Sequence, residues 1–333
     1  MPVDVVRQKL AHRVAFRSAA NYASALHGVA NLTMGVKIPF RRELEFEYGV
    51  VAKLSPLIRR VIAKNPSPFT LHGTGTYILG RGDVAVIDPG PADRDHIDAI
   101  LAATRGERIS HVLVTHTHTD HSPGCVLLRE RCDALTYAFG PHGSGLEDDS
   151  VRLEESADHD FSPDIRVRHG EVVAADGWSV ECVYTPGHTS NHMCYALREE
   201  RALFTGDHVM GWSTSIISPP DGDMQRYMAS LALLLERDDL LYWPTHGPAV
   251  LEPKRHVEAF IAHRREREAQ ILACIERGQH KIEEMVPTMY TDVPEFMYRA
   301  AGRSVLSAVV YLVQRGELRC DGLPSLAAEY FRV

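Results

Sequence analysis

A layered α/β fold is the class that this sequence predicts, on three observations. From about residue 70, short apolar runs alternate with helical stretches, as in layered α/β chains. The apolar runs end in loops rich in Gly, Pro, Asp and His, where such a fold carries its chemistry. Near residues 247–253 the texture changes to long amphipathic helices, which marks a smaller C-terminal unit.

The elements follow in chain order. The first twenty residues carry Arg7, Lys9, Arg13 and Arg17 against a single acid, Asp4. That chemistry suits a transit peptide, but Val6, Leu10 and Val14 at i, i+4 spacing favour a helix docked on the core. "TYILG", "DVAVID", "HVLVTH", "SVECVYTPGH", "RALFTGDH" and "LLYWPTHGP" each read as a buried strand running into a polar loop. Helices are expected over residues 93–104, 123–131 and 224–237. "KRHVEAFIAHRREREAQILACIERG" is expected to be one amphipathic helix stopped by Gly278. "IEEMVPTMY", "RAAGRSVLSAVVYLVQRG" and "ELRC" then outline helix, helix and short strand, a small winged-helix unit. The expected division is an N-terminal helical extension over 1–45, a catalytic domain over 46–262 and a winged-helix-like domain over 263–333.

Bulk composition excludes several classes. A chain of 333 residues, 44% apolar and 24% charged, is an ordinary globular composition. A formal net charge of −8 gives no overall attraction to nucleic acid or anionic membrane. No apolar run approaches the ~18–20 residues that span a bilayer, so no membrane association is expected. The six cysteines form no CxxC pair, which suits reduced thiols in the cytoplasm.

The chemistry concentrates in the segment Val114–Gly124, "VTHTHTDHSPG", with three histidines and an aspartate in six positions. Residues two apart in extended chain share a side, so His116 and His118 can converge on one metal. Asp120 and His121 follow as the chain turns, and can serve a second. Imidazole and carboxylate together suit Zn²⁺ and other transition metals. Three distant loops add His188 in "YTPGHTSNH", Asp207 in "LFTGDH" and His246 in "YWPTHGP", each just past an expected strand. Seven ligands with one shared are what two adjacent four- or five-coordinate ions need. His192 is expected to support His188 from behind, and His208 to face solvent. "GWSTSIISPPDGDM" follows Asp207 directly, so Trp212, Ser213, Thr214 and Ser215 are candidate substrate contacts.

Over roughly residues 45–250, "THTHTDHSPG", "TPGHT", "TGD" and "THGP" in this order resemble the metallo-β-lactamase superfamily. The resemblance implies an αββα sandwich with a two-metal site at one sheet edge. By that likeness His116, His118 and His188 hold one ion, Asp120, His121 and His246 hold the other, and Asp207 bridges them. Asp88 in "IDPG" matches an early structural aspartate of the family. "GTGTYILG", "SNHMCYAL", "DGDMQRYMASLALLL" and "HRREREAQIL" extend the likeness to the branch of β-lactamase-like protein 2 and its bacterial relatives, which carry a C-terminal winged helix.

Departures from other branches narrow the chemistry. Asp207 stands where one true β-lactamase class has Cys, and His118 where flavodiiron oxygen reductases have a carboxylate. The short gap from Asp207 to His246 leaves no room for the inserted domain of the large RNA-processing nucleases. The expected cofactor is therefore two divalent ions, Zn first, with Mn or Fe as alternatives, and a one-iron sulfur dioxygenase remains open. A hydroxide between the ions would be the nucleophile, with Asp120 as the catalytic residue that orients it and accepts its proton.

Three functions remain open at this stage. The first is hydrolysis of a small acyl substrate, a thioester or ester. The second is a single-strand-preferring endoribonuclease, implied by the β-lactamase-like protein 2 likeness. The third is a nucleic-acid or partner-binding protein with a secondary metal site. From Leu251 onward the chain carries 12 basic and 12 acidic side chains, whereas RNA binding normally leaves a basic footprint. The balance therefore leans to the acyl substrate. The C-terminal unit is then expected to wall the cleft or to mediate a homodimer.

Overall fold

The computed structural model of the protein describes residues 35–146, 156–291 and 294–333. The expected N-terminal helix over Val6, Leu10 and Val14 lies outside the described residues. Two sheets form the centre. The first has seven strands in sequence order: β1 (Ala52–Lys53), β2 (Ile58–Ile62), β3 (Gly75–Leu79), β4 (Asp83–Ile87), β5 (Arg108–Leu113), β6 (Leu135–Ala138) and β7 (Ile165–Arg166). It begins antiparallel and becomes parallel from β4 to β7. The second has five, β8 (Val172–Ala175), β9 (Trp178–Tyr184), β10 (Met193–Leu197), β11 (Ala202–Gly206) and β12 (Leu241–Pro244), antiparallel except for the β11–β12 pair.

The period of two along each strand decides which layer it feeds. On β3, Tyr77 and Leu79 point between the sheets, where they meet Val180, Tyr195, Phe204 and Trp243. Ile78 points outward with Val84, Val86 and Val112 against α1 (Arg94–Ala103) and α2 (Gly124–Arg129). On the second sheet Cys194, Ala196 and Leu203 point outward against α3 (Met224–Glu236) and α4 (Pro253–Glu276). Helix, sheet, sheet and helix are thus stacked in four layers, the αββα order. The helices start where the sequence places them: Asp93 caps α1 by accepting from Asp95 N, and Asp223 caps α3 by accepting from Arg226 N.

A fourth apolar cluster joins the end of α4 to α5 (Ile282–Met289), α6 (Tyr298–Gln314) and the antiparallel pair β13 (Leu318–Cys320) and β14 (Tyr330–Arg332). Residue 263, expected to mark a boundary, falls inside α4, which runs unbroken through it. Val257 and Phe260 of that helix pack on the sandwich, and Ile271, Cys274 and Ile275 on the C-terminal cluster. One continuous helix therefore spans the position expected to divide two domains. Gly278, in the left-handed region at φ 85°, follows its end. Among the described residues, no helix is long and apolar enough to cross a membrane.

Candidate metal centre

All the expected ligands leave the carboxyl ends of strands. His116, His118, Asp120 and His121 follow β5, His188 follows β9, Asp207 follows β11 and His246 follows β12. The strand β5 itself stops at Leu113, so His116 and His118 sit on irregular chain beyond it. Two groups of donor atoms form. His116, His118, His188 and Asp207 bring theirs within 4.8 Å of one another, and so do Asp120, His121 and His246. Asp207 stands between the groups. Its Oδ2 lies 3.7 Å from His188 Nε2, and its Oδ1 lies 3.4 Å from His246 Nε2 and 3.7 Å from His121 Nε2.

In four of the five ligand imidazoles the back of the ring is fixed, because Nδ1 meets an acceptor. His188 Nδ1–H donates to Ile216 O (2.5 Å), His246 Nδ1–H to Gly73 O (3.2 Å) and His121 Nδ1–H to an oxygen of Asp88 (2.9 Å). The Thr115 hydroxyl donates to Asp88, so its oxygen accepts from His116 Nδ1–H (3.1 Å). Four Nε2 atoms therefore face inward. Within the first group, His118 Nδ1 lies 3.0 Å from His116 Nε2 and 3.2 Å from His188 Nε2.

Burial and charge act differently on the members of the two groups. Burial pushes the His116 imidazole well down, and its neighbouring imidazoles push it further, so it is neutral. At His121 burial works downward, but the carboxylates of Asp120, Asp88 and Asp207 outweigh it and hold the ring at about 10, so its Nε2 carries a proton that a divalent cation would have to displace. At Asp120 burial works upward, yet His121 and His246 hold its carboxyl below the usual carboxylate range. His121 Nε2 and Asp207 Oδ1 are buried and make no hydrogen bond. Buried polar atoms without partners are costly, and convergent lone pairs with carboxylates are what a divalent cation needs. The donor set fits two such ions.

Asp88 ties the loops together. Fully buried, it accepts from Thr115 N (2.7 Å), Thr115 Oγ1 (2.8 Å), His121 Nδ1 and Thr245 Oγ1 (3.0 Å). Thr115 and Thr245 were not singled out from the sequence. The signal was present, because each directly precedes a ligand histidine in a Thr-His pair. His192 stands beneath Asp207: its Nδ1–H donates to Thr185 Oγ1 (2.9 Å) and its Nε2 accepts from Asp207 N (3.3 Å). That contact requires glycine at 206, where a Cβ would stand 2.6 Å from His192 Nε2.

Two expectations are corrected. His208 does not face solvent; it is fully buried beside Tyr227, whose hydroxyl donates to His208 O. Burial pushes its imidazole down to about 3. Ser215 does not face a substrate either. It is 2% exposed, and its hydroxyl donates to the carbonyl oxygens of Asp207 (2.5 Å) and His208 (2.8 Å), so it braces the ligand loop. Trp212 is also buried, with its ring against Gly247, while Ser213 and Thr214 are half-buried.

Comparison with known proteins is consistent with this geometry. The profile of the metallo-beta-lactamase superfamily matches residues 70–246. A lactamase-like protein, adaB, of Aspergillus niger is 29% identical over 88% of this chain and 95% of its own. An atrochrysone carboxyl ACP thioesterase of Claviceps purpurea is 32% identical over 72% of this chain and 74% of its own. A beta-lactamase-like protein 2 homolog of Caenorhabditis elegans is 30% identical over 80% and 87%. Among solved structures, a beta-lactamase domain protein from Burkholderia ambifaria superposes with a TM-score of 0.70 at 19% identity. It covers 89% of this chain and 97% of that one, and so speaks for the fold.

Proposed function

The chain belongs to the metallo-β-lactamase superfamily and is a metal-dependent hydrolase, and on that premise we propose that it holds two divalent ions and cleaves a thioester. The single observation that carries the two-ion reading is Asp207, which turns one carboxylate oxygen toward each group of ligands. His116, His118 and His188 would hold one ion and Asp120, His121 and His246 the other. Zinc suits this mix of imidazole and carboxylate. When bound, such a pair supplies Lewis acidity, which acidifies water toward neutrality and polarises an acyl carbonyl.

The remaining work falls to the chain itself. Asp120 is the most exposed of its group, with a side chain 25% exposed. It stays ionised beside His121 and His246, so it can accept a hydrogen bond from the attacking water, orient it and take up its proton. Asp88, Thr115 and Thr245 keep the two loops that carry His121 and His246 in register, so that charge on the reacting oxygen meets a preorganised site. Of the four candidate contacts in the loop after Asp207, Ser213 and Thr214 are the two that are only half-buried and so available to touch a substrate. The succession α5, α6, β13 and β14 supports a winged-helix-like reading of the C-terminal unit.

The thioester class is favoured by the acyl-carrier thioesterases among the relatives and by the uncharged balance of the C-terminal unit. The test is ion analysis of the purified protein beside hydrolysis assays on acyl thioesters, esters and single-stranded RNA over a range of salt. Two ions per chain and thioester turnover that barely changes with salt are expected. Preferred cleavage of RNA, falling steeply as salt rises, would overturn the substrate reading.

A further inference from the structure

Helix α4 places a buried cation against the back of the ligand loop. Arg264 is 6% exposed and has no carboxylate within ion-pair distance among the described residues. Its guanidinium lies over the Tyr227 ring at 5.1 Å, and its Nη2 donates to Ser215 O at 2.5 Å. A buried charge without a counter-ion is costly, and an apolar side chain of similar volume would fill the space without that cost. Packing alone therefore does not account for a guanidinium here.

What Arg264 grips leads to the ligands by two routes. The hydroxyl of Ser215 donates to Asp207 O and His208 O, which sets the backbone of the bridging carboxylate. The next carbonyl, Ile216 O, accepts from His188 Nδ1 and fixes the tautomer and tilt of that ring. Tyr227, under the same guanidinium, donates its hydroxyl to His208 O at 2.9 Å. Residues 215 and 216 thus position two ligands of one group at once, and a single side chain from the middle of α4 holds them.

We propose that Arg264 is a positioning residue of the metal centre, acting through the Ser215–Ile216 segment on both Asp207 and His188. It rests on the two-ion reading above. A partner that orients a ligand typically changes metal affinity by about 10–100-fold when removed. Arg264 makes the centre's geometry depend on how the C-terminal cluster seats α4, although that cluster supplies no ligand.

The test uses the full chain as Arg264→Met, Arg264→Lys and Ser215→Ala, each checked for folding by circular dichroism and then titrated with Zn²⁺ against a chelator. Co²⁺ substitution adds an absorption spectrum that reports ligand geometry directly. In Arg264→Met, affinity for the ion held by His116, His118, His188 and Asp207 should fall at least about tenfold and the cobalt bands should shift. Arg264→Lys, which can still reach Ser215 O, should recover much of both. Ser215→Ala should shift the same bands, and the double variant should lose less than the sum of the two. A folded Arg264→Met with wild-type affinity and spectrum would overturn the proposal. If that variant does not fold, unchanged spectra in both Arg264→Lys and Ser215→Ala overturn it equally. A wild-type protein that takes up fewer than two ions would sink the two-ion reading instead, so the two failures are distinguishable.

Discussion

His121 donates Nδ1–H to Asp88 across 2.9 Å, and both side chains are fully buried. The bond does two jobs. It holds a proton on Nδ1, which turns Nε2 toward Asp120 and Asp207 as the atom that would meet an ion, and it gives Asp88 one of its four donors. Asp88→Asn keeps the volume but replaces one accepting oxygen with a donating amide. We expect the second ion, held by Asp120, His121 and His246, to be lost first, with its affinity falling by about 10–100-fold. The metal-free chain should lose roughly 3 kcal/mol, because buried donors are left facing a donor. Chelator titration and urea unfolding of metal-depleted protein read the two effects separately. An affinity change without a stability change would show Asp88 to act on the ion alone.

Asp120→Asn separates ligation from proton transfer. The amide oxygen can still face His246 and His121, but it cannot take a proton from water. Turnover should fall by about 10²–10⁴-fold, while the ion held by His116, His118, His188 and Asp207 remains. Ion analysis beside kcat at saturating thioester checks this. Full activity with both ions in place would remove the proposed role of Asp120.

What the sequence disclosed was the part governed by local pattern. Each ligand lies just past an apolar run, because the fold puts the carboxyl ends of the strands at one edge. Spacing alone therefore brought out His116 through His246. The strand Ile58–Ile62, "IRRVI", did not stand out, since two arginines interrupt its apolar run. In the fold both are buried, with Arg59 Nη1 bonded to Ala103 O and ion-paired with Glu107 at 2.5 Å, and Arg60 Nη1 reaching Gly247 O. The inward packing of Ser215 and His208 is not legible for a different reason. Arg264 and Tyr227, which donate to their carbonyl oxygens, stand on helices that no local pattern ties to this loop.

Acid should destabilise the protein through His96. This ring is 3% exposed on α1. Thr76 gives its hydroxyl proton to Asp88 O, so its oxygen accepts from His96 Nε2–H at 2.7 Å, and His96 Nδ1 is left bare with no partner. Burial pushes the ring down to about 4, against a slight upward pull from Asp93. The folded value lies below the unfolded one, near 6.5, so the unfolded chain binds more protons between the two. Stability from this group is complete above about pH 6.5 and is lost as pH falls to about 4, roughly 3 kcal/mol in all. His96→Gln, which can still donate to Thr76, should flatten that part of the curve. Urea unfolding of metal-depleted wild type and variant from pH 7 to pH 4 measures the difference; parallel curves would show that His96 does not titrate there.

Truncation after residue 262 tests whether α4 is a linker or a structural member. The cut would remove Ile271, Cys274 and Ile275, which is expected of any C-terminal deletion, but also Arg264, which lies against the ligand loop. It would leave Val257 and Phe260 on a helix shortened to three turns, its remaining end no longer held by the C-terminal cluster. Helices of that length are marginal without tertiary support. We therefore expect the fragment to bind metal more weakly than the full chain and to melt several degrees lower. A cut at Gly278, past the end of the helix, should keep Arg264 in place but expose the α4 face that packs on α5 and α6. The comparison is made on both fragments by thermal melting and Co²⁺ absorption. If the 262 fragment matched the full chain in both, the sandwich would be a self-sufficient domain and α4 beyond residue 263 no part of its support.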